Sequence, residues 1–564
     1  DKVILRDDMV WSDGTPITAH DIVFSFKVIM TSQVPVPAMR AGTDQIKWIE
    51  AYDDQTLVYF HKEALATNCW NLNFGVIPKH VYEKTIAKDP TMSGTIHANI
   101  ERNPITGGPY KIKEHVADTI IVLERREDYY MHNGRQVRPK PFFKEVRFKV
   151  ISEPNVALMT LMAGDLEEMI ITPKQWLSQT NDKTFYEHNT KVRGIEWVYY
   201  FFGWNCKTPY FSDVRVRKAM SYAFDYSELL EVLRFGMDEQ SMGIFHPASK
   251  WYPSDTPTEA MHQDVDKARE LLTEAGWVDT NQDGYLDKEI DIYRKMTKLE
   301  ARNILGDAGW NSEQIEQVFE PASEYGLILI KKKATQNLKN LQTNYDKAVE
   351  KAEKAKAAAG ENGNDKELID SLLKEVPPRP ISQETLDEAY RLFEVAGWGN
   401  NESDDYLDRF DRRERIKFEF TIVTNNDPRR IMVCELLQES LQPLGIKCNI
   451  RPLEFTTLMQ INREHQFQAM FGGWGTGADP STNVNIWGSD AERNYVQYEN
   501  DRVDELFKEG EREMDPQKRI EIYREIHRIL YQDQPYTWLY VRNSMYAFNK
   551  DLRGYMFSPR GPYS

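Results

Sequence analysis

An acidic loop in the middle of the chain places oxygen-bearing side chains at the spacing of a calcium-binding loop. Counting from Asp279, side-chain oxygens stand at positions 1, 3, 5 and 9, and a glycine stands at position 6. Position 12, where such loops carry a bidentate glutamate, is Ile290. The spacing leaves two alternatives, a weak structural calcium site and an acidic turn without metal, and it favours the second; no other cofactor is predicted. The calcium alternative would use Asp279, Asn281, Asp283, Tyr285 and Asp287.

A glycine-rich segment later in the chain predicts one wall of a binding site. Residues 471–480 contain four glycines around a single tryptophan, Trp474, and a single carboxylate, Asp479. Glycine lets backbone groups approach a ligand closely, and an uncovered indole offers a surface for stacking. A tight turn that buries Trp474 in the core is the alternative. The predicted ligand-binding residues are Trp474, Gly475, Thr476 and Asp479, followed by Trp204, Asn205 and Trp487.

Common catalytic signatures are missing from the sequence. It contains no His-Glu-x-x-His zinc motif, no Gly-x-Ser-x-Gly nucleophile turn and no phosphate-binding loop that ends in Gly-Lys-Ser or Gly-Lys-Thr. Paired acids such as Glu167-Glu168 are expected by chance in a chain with 88 Asp and Glu residues. The sequence therefore predicts a binding protein that performs no covalent chemistry, and a hydrolase of peptides or sugars is the alternative.

Length and composition indicate a folded protein of several domains. The 564 residues exceed one compact domain, and the apolar fraction of 41% and aromatic fraction of 12% favour aromatic-lined clefts over disorder. The net charge of −17 disfavours a nucleic-acid partner. No apolar run approaches the ~20 residues that span a bilayer. The chain opens without an initiator methionine or an apolar signal region, so we expect its original N-terminus to have been removed. Buried free thiols or one incidental disulfide are expected at Cys69, Cys206, Cys434 and Cys448.

Strand-like and helix-like segments alternate in the first part of the chain. Segments 57–61, 119–123 and 146–150 are rich in β-branched and aromatic residues, which predicts strands. Segments 154–164 and 214–235 carry apolar residues at helical spacing, which predicts helices. This alternation is typical of α/β folds.

A duplicated phrase joins a helix, an Ala-Gly-Trp stop and an acidic loop. Residues 264–287 and 385–408 share this order, and residues 300–310 repeat the helix and its stop. The glycine of each copy falls where a left-handed residue ends a helix, and the tryptophan after it would fold back on that helix. The repeat therefore predicts helix ends.

The segment between the outer copies predicts an inserted helical hairpin over 331–375. Residues 331–359 are rich in strong helix formers, and after a Gly-rich break residues 366–375 predict a second helix. The few apolar positions favour an exposed spacer over a coiled coil that binds a partner. A third hypothesis for the whole protein, an interaction scaffold, would use this hairpin.

The phrase Trp11-Ser12-Asp13-Gly14 opens a series of motifs that resembles the extracellular solute-binding proteins of the dipeptide/oligopeptide type, family five. The residues themselves predict a turn at Asp13-Gly14 and an N-cap box from Thr18 and Asp21. The motifs follow the family's order along nearly the whole chain, outside about 291–384. The further phrases are at 77–80, 107–110, 125–130, 163–165, 205–219, 444–446, 534–535 and 552–555.

This resemblance implies an α/β, two-lobed fold of the periplasmic-binding-protein type, with an extra domain on the first lobe and a helical insertion in the second. Hinges near Met242 and Trp538 would close the lobes on a ligand. The implied domains are 1–142 for the extra domain, 143–241 with 539–564 for lobe I, and 242–538 for lobe II including the insertion 291–384.

The resemblance also implies the capture subunit of an ABC importer, with a peptide or other small solute as ligand and the membrane permease as partner. Such a protein is a monomer in the periplasm or outside the cell, where a lipid anchor can hold it to the membrane. In peptide-binding members an aspartate shortly after the tryptophan of the glycine-rich phrase holds the α-ammonium of the ligand. The matching position here is Gly477, and Asp479 follows it. A solute without a free peptide N-terminus is therefore an alternative ligand.

Overall fold

Strands and helices alternate along the first of the two compact units into which the chain divides, and in the sequence of the second a run of helices separates two strands. Unit 1 comprises Asp1–Ala275 and Glu419–Ser564, and unit 2 comprises Gly276–Phe418. The computed structural model describes residues 1–40, 42–256, 258–319, 326–358, 376–377, 379–401, 406–477 and 479–553.

The bounds of the elements follow the chain order. The strands are β1 (Lys2–Ile4), β2 (Ile46–Ala51), β3 (Thr56–His61), β4 (Tyr110–Val116), β5 (Ile120–Arg125), β6 (Met131–His132), β7 (Arg135–Gln136), β8 (Glu145–Lys149), β9 (Glu168–Ile170), β10 (Asn189–Trp204), β11 (Glu239–Gln240), β12 (Asp287–Lys295), β13 (Asp408–Lys417), β14 (Glu419–Asn425), β15 (Lys447–Leu453), β16 (Ala469–Gly475) and β17 (Tyr536–Asn549). The α-helices are α1 (Ala19–Met30), α2 (Pro37–Arg40), α3 (Asn68–Asn71), α4 (Lys79–Ile86), α5 (Thr95–Arg102), α6 (Glu127–Tyr130), α7 (Pro154–Met162), α8 (Lys183–His188), α9 (Val214–Ala223), α10 (Val265–Glu274), α11 (Lys298–Asp307), α12 (Ser312–Val318), α13 (Lys331–Ala358), α14 (Gln383–Val395), α15 (Pro428–Leu441), α16 (Phe455–Arg463), α17 (Val484–Trp487), α18 (Asp501–Arg512) and α19 (Pro516–Asp533).

A seven-stranded mixed sheet forms the centre of unit 1. Its order is β11-β17-β10-β16-β14-β15, and β9 pairs with β17. The long strand β10 pairs antiparallel with both β16 and β17, and its last six residues are buried, as expected for a strand covered on both faces. Its strands come from the residue ranges of both predicted lobes, so the sheet does not show where one lobe ends and the other begins. The predicted lobe boundaries remain predictions.

Two smaller sheets form in the N-terminal part of unit 1. They have the orders β1-β3-β2 and β4-β5-β8, so the strands predicted over 57–61, 119–123 and 146–150 are present as β3, β5 and β8. The predicted N-cap box opens α1, because the Thr18 N–H donates to the Asp21 carboxylate at 2.8 Å. Helix α1 then buries Ile22 and Phe26 in one core with Leu57 of β3.

Unit 2 consists of a two-stranded ribbon and a helical part with its own core. Strands β12 and β13 pair antiparallel from Asp287↔Lys417 to Lys295↔Asp408. The helical core contains Met296, Leu305, Leu386, Phe393 and Trp398, with Ala334 and Leu338 of α13. The predicted insertion 291–384 lies within this unit. The first helix of the predicted hairpin is α13, and the second, 366–375, lies outside the described residues.

The Ala-Gly-Trp phrases end helices as predicted. Gly276, Gly309 and Gly397 have φ of +85°, +87° and +82°, the left-handed conformation that favours glycine. The backbone N–H of Trp398 donates to the Phe393 carbonyl at 3.0 Å, and its buried side chain packs in the same core as Phe393 of α14. Trp277 packs against Phe418, with ring centroids 4.3 Å apart and the ring planes tilted by 31°.

The four cysteines are free, and Cys434 and Cys448 are buried. Desolvation raises the pKa of the Cys448 thiol to about 12, so it stays protonated at neutral pH. Among the described residues, no helix combines the length and the apolar character needed to cross a membrane.

Candidate functional site

The side chains of the acidic loop 279–287 form hydrogen bonds within the loop and with Lys417. Asp279 accepts hydrogen bonds from the backbone N–H groups of Asp283 and Gly284, and Asp287 accepts from Thr280. Lys417 donates to Asp283 and supplies the positive charge that a metal would bring. No group of three or more metal-binding acidic, histidine or cysteine side chains forms in the part of the chain that the structure describes. Asp279, Asn281, Asp283 and Asp287 thus have hydrogen-bond partners in the loop or at Lys417, and the calcium alternative for these residues and Tyr285 stays a prediction.

Trp474 lies on β16 with its indole partly exposed. Its Nε1–H donates to Tyr536 Oη at 3.1 Å, which fixes the orientation of the ring. The guanidinium carbon of Arg493 lies 4.4 Å from the ring centroid, within the range of a cation–π contact. The indole therefore already has a cationic partner from the chain itself.

Asp479 is the centre of a buried ion pair. Its two carboxylate oxygens each accept a hydrogen bond of 2.7 Å from Arg519, and Oδ1 also accepts from the Ser481 N–H and hydroxyl. The side chains of Asp479 and Arg519 are 11% and 10% exposed. Burial raises the pKa of Asp479, but the hydrogen bonds from Arg519 and Ser481 outweigh it and hold the pKa below its usual value. Arg519 thus occupies the place in which we expected a cation of the ligand.

The two residues between Trp474 and this pair shape the loop. Gly475 ends β16 and is exposed. The N–H and hydroxyl of Thr476 both donate to the Trp197 carbonyl, at 2.9 and 3.1 Å. Thr476 therefore anchors the loop to the middle of β10, and Gly475 leaves its backbone open to solvent.

The second predicted set lies in the core behind this loop. Trp204 and Trp487 are 0% exposed and Asn205 is 3% exposed. Trp204 Nε1–H donates to Thr537 Oγ1 at 3.1 Å, and the Asn205 amide donates to the Phe467 carbonyl at 2.9 Å. The structure thus gives these three side chains structural contacts and no surface that faces a ligand.

A cavity of ≈360 Å³ opens beside Asp479 within unit 1. Its volume falls at the low end of the roughly 300–1,000 Å³ of small-molecule sites. The two walls are joined by the Ala66 N–H, which donates to the Glu511 carbonyl at 2.8 Å, and by the Arg512–Glu63 ion pair at 2.8 Å. The lining residues are Met39, Gly42, Thr43, Trp70, Asn71, Asn73 and Phe74 on one wall, and Asp479, Ser481, Thr482, Val484 and Glu511 on the other.

Glu511 gives the cavity its unusual electrostatics. Desolvation, followed by repulsion from Asp44, raises the pKa of the Glu511 carboxyl to about 7. Glu511 also stands in the last turn of α18, where the helix dipole disfavours a negative charge. Near neutral pH the Glu511 carboxyl therefore holds its proton far more readily than an ordinary glutamate.

Sequence reasoning found Asp479 but missed the rest of the cavity. Glu511 looks like any acid on the polar face of an amphipathic helix, and Asn71 like any residue of a short helix. The Arg512–Glu63 pair that joins the walls spans 449 positions, beyond the reach of a local pattern. The one residue that could have pointed to the cavity is the tryptophan Trp70. In the structure it lies in α3 and is 54% exposed.

Three solved binding proteins share the fold. The oligopeptide-binding protein AppA of Bacillus subtilis, solved with a nonapeptide, has a TM-score of 0.66 and 23% identity over 100% of this chain and 85% of its own. DppA of Helicobacter pylori, solved with the peptide STSA, has a TM-score of 0.64 and 16% identity, covering 98% and 83%. NikZ of Campylobacter jejuni, solved with Ni(L-His), has a TM-score of 0.61 and 17% identity, covering 98% and 83%. The predicted fold class is confirmed by this likeness.

Sequence comparison points to the same family. AppA of Bacillus subtilis is 23% identical over 573 residues, which cover 99% of this chain and 78% of AppA. The family model for bacterial extracellular solute-binding proteins, family 5, matches residues 2–320 and 371–495, including most of both cavity walls. Because this match covers well over half of the sequence, the chain belongs to the bacterial extracellular solute-binding proteins of family 5.

Proposed function

We propose that this protein captures a peptide or a similar small solute and delivers it to the permease of an ABC importer. The family match over residues 2–320 and 371–495 carries the proposal. Peptide is the proposed ligand class because AppA and DppA were each solved with a peptide. The protein acts as a monomer in the periplasm or outside the cell, where a lipid anchor would keep it near the importer.

Binding in this proposal is reversible and involves no covalent step. The cavity beside Asp479 takes part of the ligand, with Trp474, Gly475 and Thr476 at the neighbouring end of β16. Trp70 contributes an exposed aromatic surface, and the amides of Asn71 and Asn73 can pair with peptide groups. Asp479 lines the cavity but is paired with Arg519, so it does not itself neutralise a charge on the ligand.

Mass spectrometry of small molecules released from the purified protein tests the ligand class. We expect peptides to be released, and calorimetry with synthetic peptides of the same sequences should then show saturable binding to the emptied protein. Binding of none of them would overturn the proposal. Cleavage of a peptide during the titration would favour the hydrolase alternative.

A matched pair of tryptophan variants tests the place of the ligand. Trp70→Ala should weaken peptide binding roughly fivefold, because an aromatic contact contributes about 1 kcal/mol. Trp48→Ala is the control, since Trp48 is 41% exposed on β2 and does not line the cavity. If the two variants bind the peptide with equal affinity, the ligand does not bind in this cavity.

A further inference from the structure

The cavity carries one carboxylate, that of Glu511, with which no described residue forms an ion pair. Asp479 is neutralised by Arg519, and Arg512 is paired with Glu63. The Glu511 side chain makes no hydrogen bond or ion pair with any described residue, although it lines the cavity. Among the described lining residues there is no lysine, arginine or histidine.

An unpaired carboxylate in such a place is costly. Burial and the nearby Asp44 raise the pKa of Glu511 to about 7, while Arg519 and Arg512 lower it by less. Burying a charge is unfavourable unless an opposite charge accompanies it. A cation that enters the cavity would remove this cost, so its binding would recover free energy that a neutral group cannot.

The opposite wall has groups suited to the rest of such a ligand. Trp70 and Phe74 present aromatic surface, and aromatic faces attract ammonium and guanidinium groups. The side-chain oxygens of Asn71 and Asn73 can accept hydrogen bonds from N–H groups. The volume of ≈360 Å³ has room for one long side chain or a small solute rather than a whole nonapeptide.

We propose that this cavity selects solutes that carry an ammonium or guanidinium group, which pairs with Glu511 while Trp70 and Phe74 contact its apolar stem. This inference rests on the proposed function, since it names the chemical class of ligand for the same site. A basic side chain of a captured peptide fits it as well as a small free cation.

Two pools of short synthetic peptides test the inference, identical except that norleucine replaces lysine in the second. At about pH 8 the parent protein should bind the lysine pool about tenfold more tightly, because a charge-assisted contact contributes at least about 1.4 kcal/mol. Glu511→Gln should reduce this preference to within about twofold. Glu505→Gln, on the same helix and 64% exposed, should keep the full preference.

The outcomes separate the inference from the proposed function. Equal binding of both pools by the parent would overturn the inference and leave the function standing. Binding of neither pool would overturn peptide as the ligand class and, with it, the pairing of a peptide's basic side chain with Glu511. A Glu511→Gln protein that keeps the lysine preference would overturn the assignment to Glu511.

The parent protein alone provides a second test if the variant does not fold. Lysine stays charged well above neutral pH, so the preference should fall as the pH is lowered below about 7 and Glu511 becomes protonated. Burial also raises the pKa of Asp44, which strengthens the trend, whereas the pKa of Asp479 is lowered and that of Arg519 is raised, so this pair stays charged. A preference that does not change between about pH 8 and 5 would overturn the inference.

Discussion

At the scale of single residues, the buried Asp479–Arg519 pair makes a substitution of Asp479 a test of protein stability. Asp479→Asn should lower the free energy of unfolding by about 3 kcal/mol, because it leaves the guanidinium of Arg519 buried without its counter-charge. Asparagine can still cap the Ser481 N–H, so the loss isolates the charge. Denaturant unfolding measures it.

Asp427 offers a matched control for this variant. It also caps a helix and pairs with an arginine, Arg429, but the two side chains are 26% and 69% exposed. Asp427→Asn should therefore cost less than about 1 kcal/mol. An Asp479→Asn protein with parental stability and weakened ligand binding would contradict the assignment of Asp479 to a stabilising ion pair with Arg519. It would indicate that Asp479 contacts the ligand.

Glu511 predicts a pH dependence of stability in the ligand-free protein. The pKa of its carboxyl rises from 4.5 to about 7 on folding, so its favourable contribution exists below pH 4.5 and is lost as the pH rises through 7. Glu511→Gln should therefore raise the melting temperature at about pH 8 and change it little at about pH 4.5. Melting curves of Glu505→Gln, which should match the parent at both pH values, are the control. A Glu511→Gln protein that melts with the parent at high pH would contradict the shift.

The loop could be predicted from the sequence, but its partners could not. Glycine content identified residues 471–480 because backbone freedom is a local property. Arg519 lies 40 positions beyond Asp479, on α19. Nothing in the loop sequence shows whether Asp479 pairs with a cation of the protein or with a cation of a ligand. The same limit applies to Trp474, whose indole looked open until Arg493 was placed beside it.

At the scale of elements, two glycines at one helix end predict opposite effects of the same substitution. Gly309 follows α11 with φ of +87°, whereas Gly306 lies within α11 at ordinary helical φ, and a Cβ at either position meets no atom within 4 Å. Gly309→Ala should cost about 1 kcal/mol through backbone strain, and Gly306→Ala should stabilise by up to about 1 kcal/mol. Chemical denaturation of both variants checks the signs. Equal effects would mean that Gly309 does not end the helix.

Helix ends and single strands were predictable because their signals lie within a few residues of each other. The Ala-Gly-Trp stops, the Thr18–Asp21 box and the strands β3, β5 and β8 all formed where the sequence predicts them. The pairing of β12 with β13 was not predicted. Asp291 and Arg413 bond across this ribbon from 122 positions apart, and their alternating charges resemble any solvated segment.

At the scale of the whole molecule, the β12–β13 ribbon allows the helical part of unit 2 to be deleted. Lys295 and Asp408 are cross-strand partners, so a short turn can join them and replace residues 296–407 without changing the register. The shortened protein should fold and keep its peptide affinity within about threefold, because all lining residues of the cavity belong to unit 1.

Calorimetry and thermal melting of the shortened protein check this expectation. Parental affinity would also exclude the interaction scaffold as the explanation of ligand capture. A folded protein with a much larger loss of affinity would show that unit 2 contributes to binding.

The pairing of β10 with β17 places a constraint on the order of synthesis. Trp204 and Thr537, which bond across this part of the sheet, are 333 positions apart, and β17 lies between β10 and β11 in the strand order. A growing chain therefore cannot complete its central sheet until nearly all of it has been made. Until then the apolar half of β10 has no β17 partner on that side.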